Sequence, residues 1–347
     1  MTESNTITSD LSPLDRKEIA SLLKPFQSLN KGIYWADMLI SVSIGWGAFY
    51  IMYISNNLFV EMVSYLVAVF AFLRAIGFIH EISHQSKGRY ATFMRAFRRV
   101  WNVIVGVPFM ISSPFYSCHL VHHSVNTFGT KEDPQYLHVK GHPGKAIGFV
   151  LIQAISSCIM LPLRTLILVP LSLIIKPLRI KIEEKMSSIA EPHYTAKFSD
   201  DDKKTLLLND VQSSMFWWAV LYLAYTGILP VVTLIMFMAI IFGVMFVNAY
   251  RILGEHTYDP EQYSAEKNSS LREFINSYNY NKGGLLIELL YNTGLRYHAL
   301  HHYLPQIPYH NLPAAHRLLV QKLPGQSMYH IVNAKGHMAN VLNLIRG

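Results

Sequence analysis

Long apolar runs, separated by short polar turns, occupy much of this chain. Residues 32–55 contain one formal charge, Asp37, and residues 58–79 follow after the polar pair Asn56-Asn57. About 20 apolar residues in a helix are enough to cross the hydrocarbon core of a bilayer. These two runs therefore predict a hairpin of two transmembrane helices.

A second pair of apolar runs predicts a second transmembrane hairpin. Residues 212–229 and 231–250 are separated by Pro230, and the turn between them contains no Lys or Arg. The region 84–145, at the opposite end of the predicted spans, is rich in Lys and Arg. Since basic loops remain on the cytoplasmic side, four crossings place this region and both chain termini in the cytoplasm.

Two further apolar segments do not fit a simple crossing. Residues 101–115 are short and contain Pro108 and Pro114, so they are predicted to lie in the interface or to re-enter the membrane. Residues 146–175 carry Arg164 in the middle and basic residues at both ends. Basic flanks on both sides imply an even number of crossings. A re-entrant hairpin or in-plane helices would satisfy this, and Arg164 favours in-plane helices.

The two ends of the chain are more polar than its middle. Residues 1–30 form a predicted cytosolic N-terminal segment, in which Ser12 caps a short surface helix that ends at Leu23. Residues 31–347 are predicted to form a single membrane domain. Its last part, residues 251–347, is predicted to be a cytosolic helical cap.

The composition supports a membrane protein. Hydrophobic residues make up 51% of the 347 residues and charged residues only 15%, whereas soluble domains usually carry about 25% charged residues. The net charge of +8 fits a surface that faces anionic lipid headgroups. Nucleic acid is the competing partner for a basic chain, but the basic residues flank the apolar spans and form no nucleic-acid-binding module. The two cysteines, Cys118 and Cys158, provide no disulfide framework.

Three histidine clusters stand out against this apolar background. The first consists of His80 and His84, four positions apart at the end of the second span. The other two share the spacing HxxHH, and they consist of His119, His122 and His123 and of His298, His301 and His302. Helix positions three and four apart lie on one face, so each cluster presents its imidazoles in one direction. Imidazole binds iron, copper, nickel and zinc, and eight imidazoles predict two metals held between several helices.

A ninth histidine and several charged residues extend this predicted site. His256 follows the fourth span at the level of the three clusters, so it is predicted to be a further ligand. Glu81, Asp133 and Glu255 are candidates to accept the second N–H of a ligating imidazole, and Arg251 can pair with one of these carboxylates. The remaining histidines lack a clustered setting and are interpreted as structural or exposed: His138, His142, His193, His310, His316, His330 and His337.

Two other classes of membrane protein are rich in histidine. The ligands of metal transporters usually lie near the midplane of broken spans, whereas these clusters follow the ends of spans. A bis-histidine haem carrier would show a strong Soret band, which a protein with metals bound only by imidazoles would not. The sequence therefore predicts an all-α integral membrane protein with four transmembrane helices in two hairpins, interfacial helices and a cytosolic helical cap that carries a histidine-rich two-metal site.

The three clusters resemble the three-box signature of membrane fatty acid desaturases and their hydroxylase relatives. Two flanking segments are also similar to this family. One is Gly129-Thr130-Lys131-Glu132-Asp133-Pro134 after the second cluster, and the other is the segment 303–313 after the third. The resemblance extends from the first span to about Leu323.

The resemblance implies two iron ions, Fe2+ or Fe3+, bound by the boxes, with His256 as the extra histidine that follows the fourth span in this family. It further implies O2 as co-substrate, a lipid or acyl chain as substrate, and a separate electron donor such as ferredoxin or cytochrome b5 with its reductase. Some acyl-CoA desaturases have an asparagine four residues before the extra histidine. This chain has Ile252 there, so that feature does not carry over.

The reaction expected from this resemblance is desaturation of a fatty acyl chain in a lipid or thioester. Removal of hydrogen from two neighbouring carbons gives a C=C bond, whereas insertion of one oxygen atom gives an alcohol. The alternative is therefore a hydroxylase or ketolase of the same family that acts on an alkyl, sterol, carotenoid or sphingoid lipid. The histidine boxes do not separate these two outcomes.

Overall fold

The computed structural model describes residues 13–191, 193–259, 270–325 and 327–347. Within these ranges the chain is helical, and its β pairings are isolated bridges rather than strands. Helix α1 covers Pro13–Leu23, as predicted, and a 3-10 turn follows at Lys24–Gln27. The predicted cap residue, Ser12, lies outside the described residues. This part of the structure confirms the expected all-α fold.

Helices α2 (Lys31–Ile54) and α3 (Leu58–Gln85) form the first apolar hairpin, where the sequence predicts two spans. Each begins at an asparagine whose side chain accepts hydrogen bonds from two backbone N–H groups of the first turn, Asn30 in α2 and Asn57 in α3. Helix α3 continues six residues beyond the predicted end of the span. Its last turns therefore carry the first histidine cluster.

The next segment enters and leaves the helical bundle. Helix α4 (Ala91–Trp101) continues through a π-helical turn into α5 (Val107–Phe109), and a 3-10 turn at Ser113–Tyr116 leads to α6 (His119–His122). The chain bends by 89° between α5 and this 3-10 turn. Gly106 permits the bend, because a Cβ there would lie 2.7 Å from the backbone oxygen of Ile111.

Residues 143–172 form one continuous helix, made of α7 (Pro143–Leu163), a π-helical turn and α8 (Val169–Ser172). The helix does not double back, so the segment 146–175 does not form the hairpin that was one of its two expected arrangements. Helix α9 (Lys176–Met186) then returns the chain to the histidine clusters, since the backbone N–H of Ile189 donates to the carbonyl oxygen of Phe115 (2.9 Å).

Helices α10 (Asp200–Tyr225) and α11 (Val231–Ile252) follow one another across the turn at residues 226–230. By length and apolar composition, four helices of the described residues could cross a membrane: α2, α3, the continuous helix α7–α8, and α11. The predicted span 212–229 is thus replaced in this set by residues 143–172. The reason is that α10 buries polar side chains such as Asn209, Asp210 and Ser213, which lower its mean hydropathy.

The described residues after α11 form the helical cap. Its helices are α12 (Ser270–Ile275), α13 (Gly284–Leu290), α14 (His298–Tyr303), α15 (Leu312–Lys322), α16 (Met328–Ile331) and α17 (His337–Arg346). Apolar side chains of α12, α14, α15 and α16 share one hydrophobic cluster with Ile19 and Leu23 of α1. A separate, larger cluster joins α2, α3 and α11, where the rings of Trp46 and Phe237 stack at 5.5 Å. The histidine clusters lie between these two cores.

Candidate metal centre

The nine predicted histidines come together in two groups. The ligand nitrogens of each group lie within 4.8 Å of one another. The five-histidine group contains His80, His84, His119, His123 and His301. The four-histidine group contains His122, His256, His298 and His302. The structure therefore has two adjacent sites that could each hold a metal ion, as the cluster spacing predicts.

The five-histidine group forms where three elements meet. His80 and His84 lie on the last turns of α3, His119 begins α6 and His123 follows it, and His301 lies on α14. The Nε2 atoms of His119 and His123 are 3.0 Å apart, and those of His84 and His301 are 3.1 Å apart. The nitrogens therefore converge on a common centre.

The four-histidine group is assembled around His256, which follows α11. Its Nε2 atom lies 3.2 Å from that of His122 and 3.1 Å from that of His298. The Nε2 atoms of His298 and His302 are also 3.1 Å apart. Phe128 packs against this group, with its ring centroid 5.1 Å from the ring of His122. An apolar ring therefore closes one side of the group.

This donor set fits metal ions. Two ligands that bind one divalent metal at about 2.1 Å and at right angles lie about 3 Å apart, which matches the spacing of the Nε2 atoms. Both ring nitrogens of His80 are buried without a hydrogen-bond partner in the described part of the chain. A buried nitrogen without a partner is costly, and a metal ion would supply the partner. Imidazole ligands suit iron among other transition metals.

Burial keeps four histidines of this centre in the form that binds metal. Desolvation, assisted by the neighbouring imidazoles, lowers the pKa of four histidines well below the ordinary value: His123, His256, His298 and His302. At neutral pH these rings are therefore uncharged, and an uncharged ring has a free nitrogen lone pair for a metal.

Four imidazoles are supported on the nitrogen that faces away from the group. Asp133 accepts from Nδ1 of His122 at 2.9 Å, and the side-chain oxygen of Gln135 lies 2.6 Å from Nδ1 of His119. The hydroxyl of Ser277 lies 3.0 Å from Nδ1 of His256. One carboxylate oxygen of Glu273 lies 3.4 Å from Nδ1 of His302. Such contacts fix the ring orientation and leave Nε2 for the metal.

The other predicted supporting residues have different contacts. Glu81 lies 3.7 Å from Nδ1 of His80, beyond hydrogen-bond range, and accepts from the Tyr34 hydroxyl and the backbone N–H of Tyr309. Arg251 donates to Glu255, as the sequence allowed for one of the carboxylates. Both side chains are buried, and this pair braces the end of α11 next to His256.

Three supporting residues were not found from the sequence: Gln135, Glu273 and Ser277. Gln135 follows the predicted Asp133 by two positions, but a lone amide carries no recognisable signal. Glu273 and Ser277 lie one helical turn apart, and the hydroxyl of Ser277 donates to the carbonyl oxygen of Glu273 (2.7 Å). Their segment is distant in sequence from all three boxes, so only the tertiary structure places it behind the imidazoles.

Comparison with known proteins agrees with this centre. Residues 56–333, well over half of the chain, match the sequence model of the family described as Fatty acid desaturase. A protein described as a ceramide hydroxylase, from Caulobacter vibrioides (strain NA1000 / CB15N), is 34% identical over 333 residues. This alignment covers 95% of the present chain and 93% of the relative. The chain therefore belongs to the fatty acid desaturase family.

Proposed function

We propose that this protein is a membrane-bound, O2-dependent di-iron hydroxylase that acts on an alkyl chain of a ceramide-like lipid. The observation that carries the proposal is the pair of convergent imidazole groups in a chain that aligns over 95% of its length with a ceramide hydroxylase. Desaturation, which the histidine boxes suggested first, has support from the family alone. The named relative therefore favours the hydroxylase alternative.

The proposed reaction is R–H + O2 + 2e− + 2H+ → R–OH + H2O. Bound iron would supply the oxidising power that side chains lack for attack on an unactivated C–H bond. The nine histidines would hold the two ions, and the supporting side chains would keep each ring in place. Because most of these rings are buried, bulk water is kept from the reacting atoms.

The electrons must come from outside the described chain. We propose that a ferredoxin or a cytochrome b5 with its reductase supplies them on the side of the membrane that carries the histidine groups. The basic region 84–145 supports a cytoplasmic location for that side, by the positive-inside rule. The lipid substrate would enter from the bilayer, since the helices below the centre expose large apolar side chains such as Leu66 of α3 and Ile235 of α11.

Lipid analysis under labelled oxygen tests the reaction. Cells that express the protein with a ceramide substrate under 18O2 are expected to accumulate a product that carries one 18O atom. Desaturation would instead give a product lighter by two hydrogens and without 18O. Mass spectrometry of the extracted lipids separates these outcomes, and an unchanged lipid profile would contradict both.

Substitution of a proposed ligand tests the role of the metal. His302→Ala is expected to lower bound iron and to abolish product, because it removes one of four ligands from its group. His193→Ala is the control, since His193 is exposed and lies in neither group. Iron content and product are measured on the same membranes. Full iron content and full activity in His302→Ala would contradict the assignment.

A further inference from the structure

Glu273 lies behind both histidine groups at once. Its Oε2 atom is 3.4 Å from Nδ1 of His302, in the four-histidine group, and 3.8 Å from Nδ1 of His123, in the five-histidine group. The side chain is only 3% exposed. Its other oxygen, Oε1, has no hydrogen-bond partner within the described ranges. This carboxylate therefore has the capacity to serve two imidazoles, one from each group.

The two rings are arranged for a shared acceptor. The rings of His123 and His302 stack at 4.0 Å with an angle of 16° between their planes. Both Nδ1 atoms lie on the side of the same carboxylate, while each Nε2 faces a histidine of its own group. Asp133, by comparison, lies against His122, and Gln135 lies against His119. Each of those two side chains thus supports a single group.

Residues 273–279, the segment that carries Glu273, contact the metal centre at other points as well. Ser277 contacts His256 at 3.0 Å and holds the carbonyl oxygen of Glu273 at 2.7 Å. The side-chain oxygen of Asn279 accepts from the backbone N–H of Leu300 at 3.1 Å, within helix α14. Contacts at these three points hold the Glu273 carboxylate at the backs of both rings.

We propose that Glu273 is a positioning residue shared by the two metal sites. Its carboxylate accepts from Nδ1–H of His302 and is the nearby anion for Nδ1 of His123, which has no hydrogen-bond partner in the described residues, so its charge favours the tautomer that presents Nε2 to the metal in each ring. This inference rests on the proposed metal centre. Loss of the carboxylate weakens metal binding at both sites, whereas loss of Asp133 or Gln135 weakens binding at one.

The test measures each site separately in full-length, metal-free protein in detergent. His84→Ala with His301→Ala leaves the four-histidine group intact, and His256→Ala with His298→Ala leaves the five-histidine group intact. Co2+ is titrated into each background and followed by its visible absorption. Replacement of outer partners of ligating histidines typically costs 10–100-fold in metal affinity. Glu273→Ala is expected to weaken Co2+ binding by about that factor in both backgrounds.

Single-site variants are the matched controls. Asp133→Asn is expected to weaken binding only where the four-histidine group is intact, and Gln135→Leu only where the five-histidine group is intact. Glu273→Gln keeps the volume and one acceptor oxygen but loses the charge. It is expected to give a smaller loss in both backgrounds, and this variant serves if Glu273→Ala does not fold, as judged by circular dichroism.

The outcomes distinguish this inference from the metal centre itself. If Glu273→Ala or Glu273→Gln alters binding in one background only, or in neither, the shared role is wrong while the metal centre stands. If protein with all nine histidines binds no Co2+, the metal centre is wrong and the role of Glu273 falls with it.

Discussion

At the scale of single residues, the HxxHH spacing has a consequence that depends on the fold. In the second box, His119 and His123 enter the five-histidine group and His122 enters the other. In the third box the division is reversed, because His298 and His302 enter the four-histidine group. Side chains four positions apart lie on the same helix face, so each of these two boxes gives a pair to one group and a single ring to its neighbour.

Gln135 provides a prediction at this scale. Its side-chain oxygen lies 2.6 Å from Nδ1 of His119, and its amide nitrogen donates to the carbonyl oxygen of Ile189 (3.0 Å). In otherwise native protein, Gln135→Leu is expected to lower iron occupancy, because His119 loses the acceptor that orients its ring. Iron per protein, measured across a range of free iron, reports the change.

Gln135→Glu is the matched control for that prediction. A carboxylate retains an acceptor for His119 but cannot donate to Ile189, so iron occupancy is expected to fall less than in Gln135→Leu. Equal iron occupancy in the native protein and Gln135→Leu would show that His119 does not need this support.

At the scale of elements, a buried ion pair joins the continuous helix α7–α8 to α10. Arg164, in the π-helical turn, donates two hydrogen bonds to Asp210, at 2.7 and 3.0 Å. Both residues are 2% exposed. Arg179 of α9 also donates to Asp210, at 2.7 Å. The carboxylate thus neutralises two cations in an apolar setting and fixes three helices relative to one another.

Removal of Asp210 is expected to destabilise the protein strongly. Asp210→Ala leaves Arg164 buried without its counter-ion, and loss of one partner of a buried pair typically costs about 3–5 kcal/mol. Unfolding in mild detergent, followed by circular dichroism, measures the loss. Glu183→Ala is the control, since Glu183 pairs with the same Arg179 but is more exposed. Partly exposed pairs contribute about 1 kcal/mol or less. Equal losses in the two variants would contradict this account.

At the scale of the whole molecule, the path of the chain limits how α7–α8 can sit in the bilayer. Arg164 donates to Ser187 (2.9 Å). Two residues later, the carbonyl oxygen of Ile189 accepts from Gln135, whose side-chain oxygen contacts His119. This part of the chain therefore lies beside the histidine groups. The link from Ser172 to Ser187 contains α9, in which six of eleven residues are charged. An eleven-residue helix is about 16 Å long, too short and too polar to recross a core of about 30 Å. We therefore expect α7–α8 to stay on the side of the membrane that carries the histidine groups and not to cross it.

If α7–α8 does not cross the membrane, the apolar half of α10 must provide the fourth crossing. Helix α11 leads to His256, so a crossing α11 must begin on the far side of the membrane. The turn at residues 226–230 then lies on that far side, and α10 must reach it from the histidine layer. Its apolar half, residues 212–225, spans about 21 Å, so the turn at residues 226–230 and the residues just before 212, among them the buried Asn209 and Asp210, must cover the rest of a core of about 30 Å.

Cysteine labelling tests this topology. In a protein without its native cysteines, Ile174→Cys is expected to react with a membrane-impermeant maleimide from the cytoplasmic side. Thr226→Cys is expected to react from the opposite side. Both positions are exposed, and labelling is compared between intact cells and inside-out vesicles. Reaction of both from one side would contradict the arrangement, whereas a swap of the two sides would contradict only the cytoplasmic orientation.

The sequence by itself determined the helical class, the three apolar helices α2, α3 and α11, and the identity of the nine histidines. These features follow from local rules, because an apolar run of sufficient length must be helical in lipid and the box spacing is read along one helix. The family likewise followed from the boxes and their flanking segments, and the match over residues 56–333 confirms it.

Only the tertiary structure decided which histidine joins which group and which side chains support them. The partners Gln135, Glu273 and Ser277 reach the imidazoles from segments far from most of the rings in sequence, so no local pattern marks them. The topology expected for α7–α8 and α10 also rests on tertiary contacts, because hydropathy alone favours α7–α8 over α10 as a span. Contacts between distant segments, such as those of Arg164 with Asp210 and Ser187, determine which helices pack together. Hydropathy along the sequence does not encode such contacts.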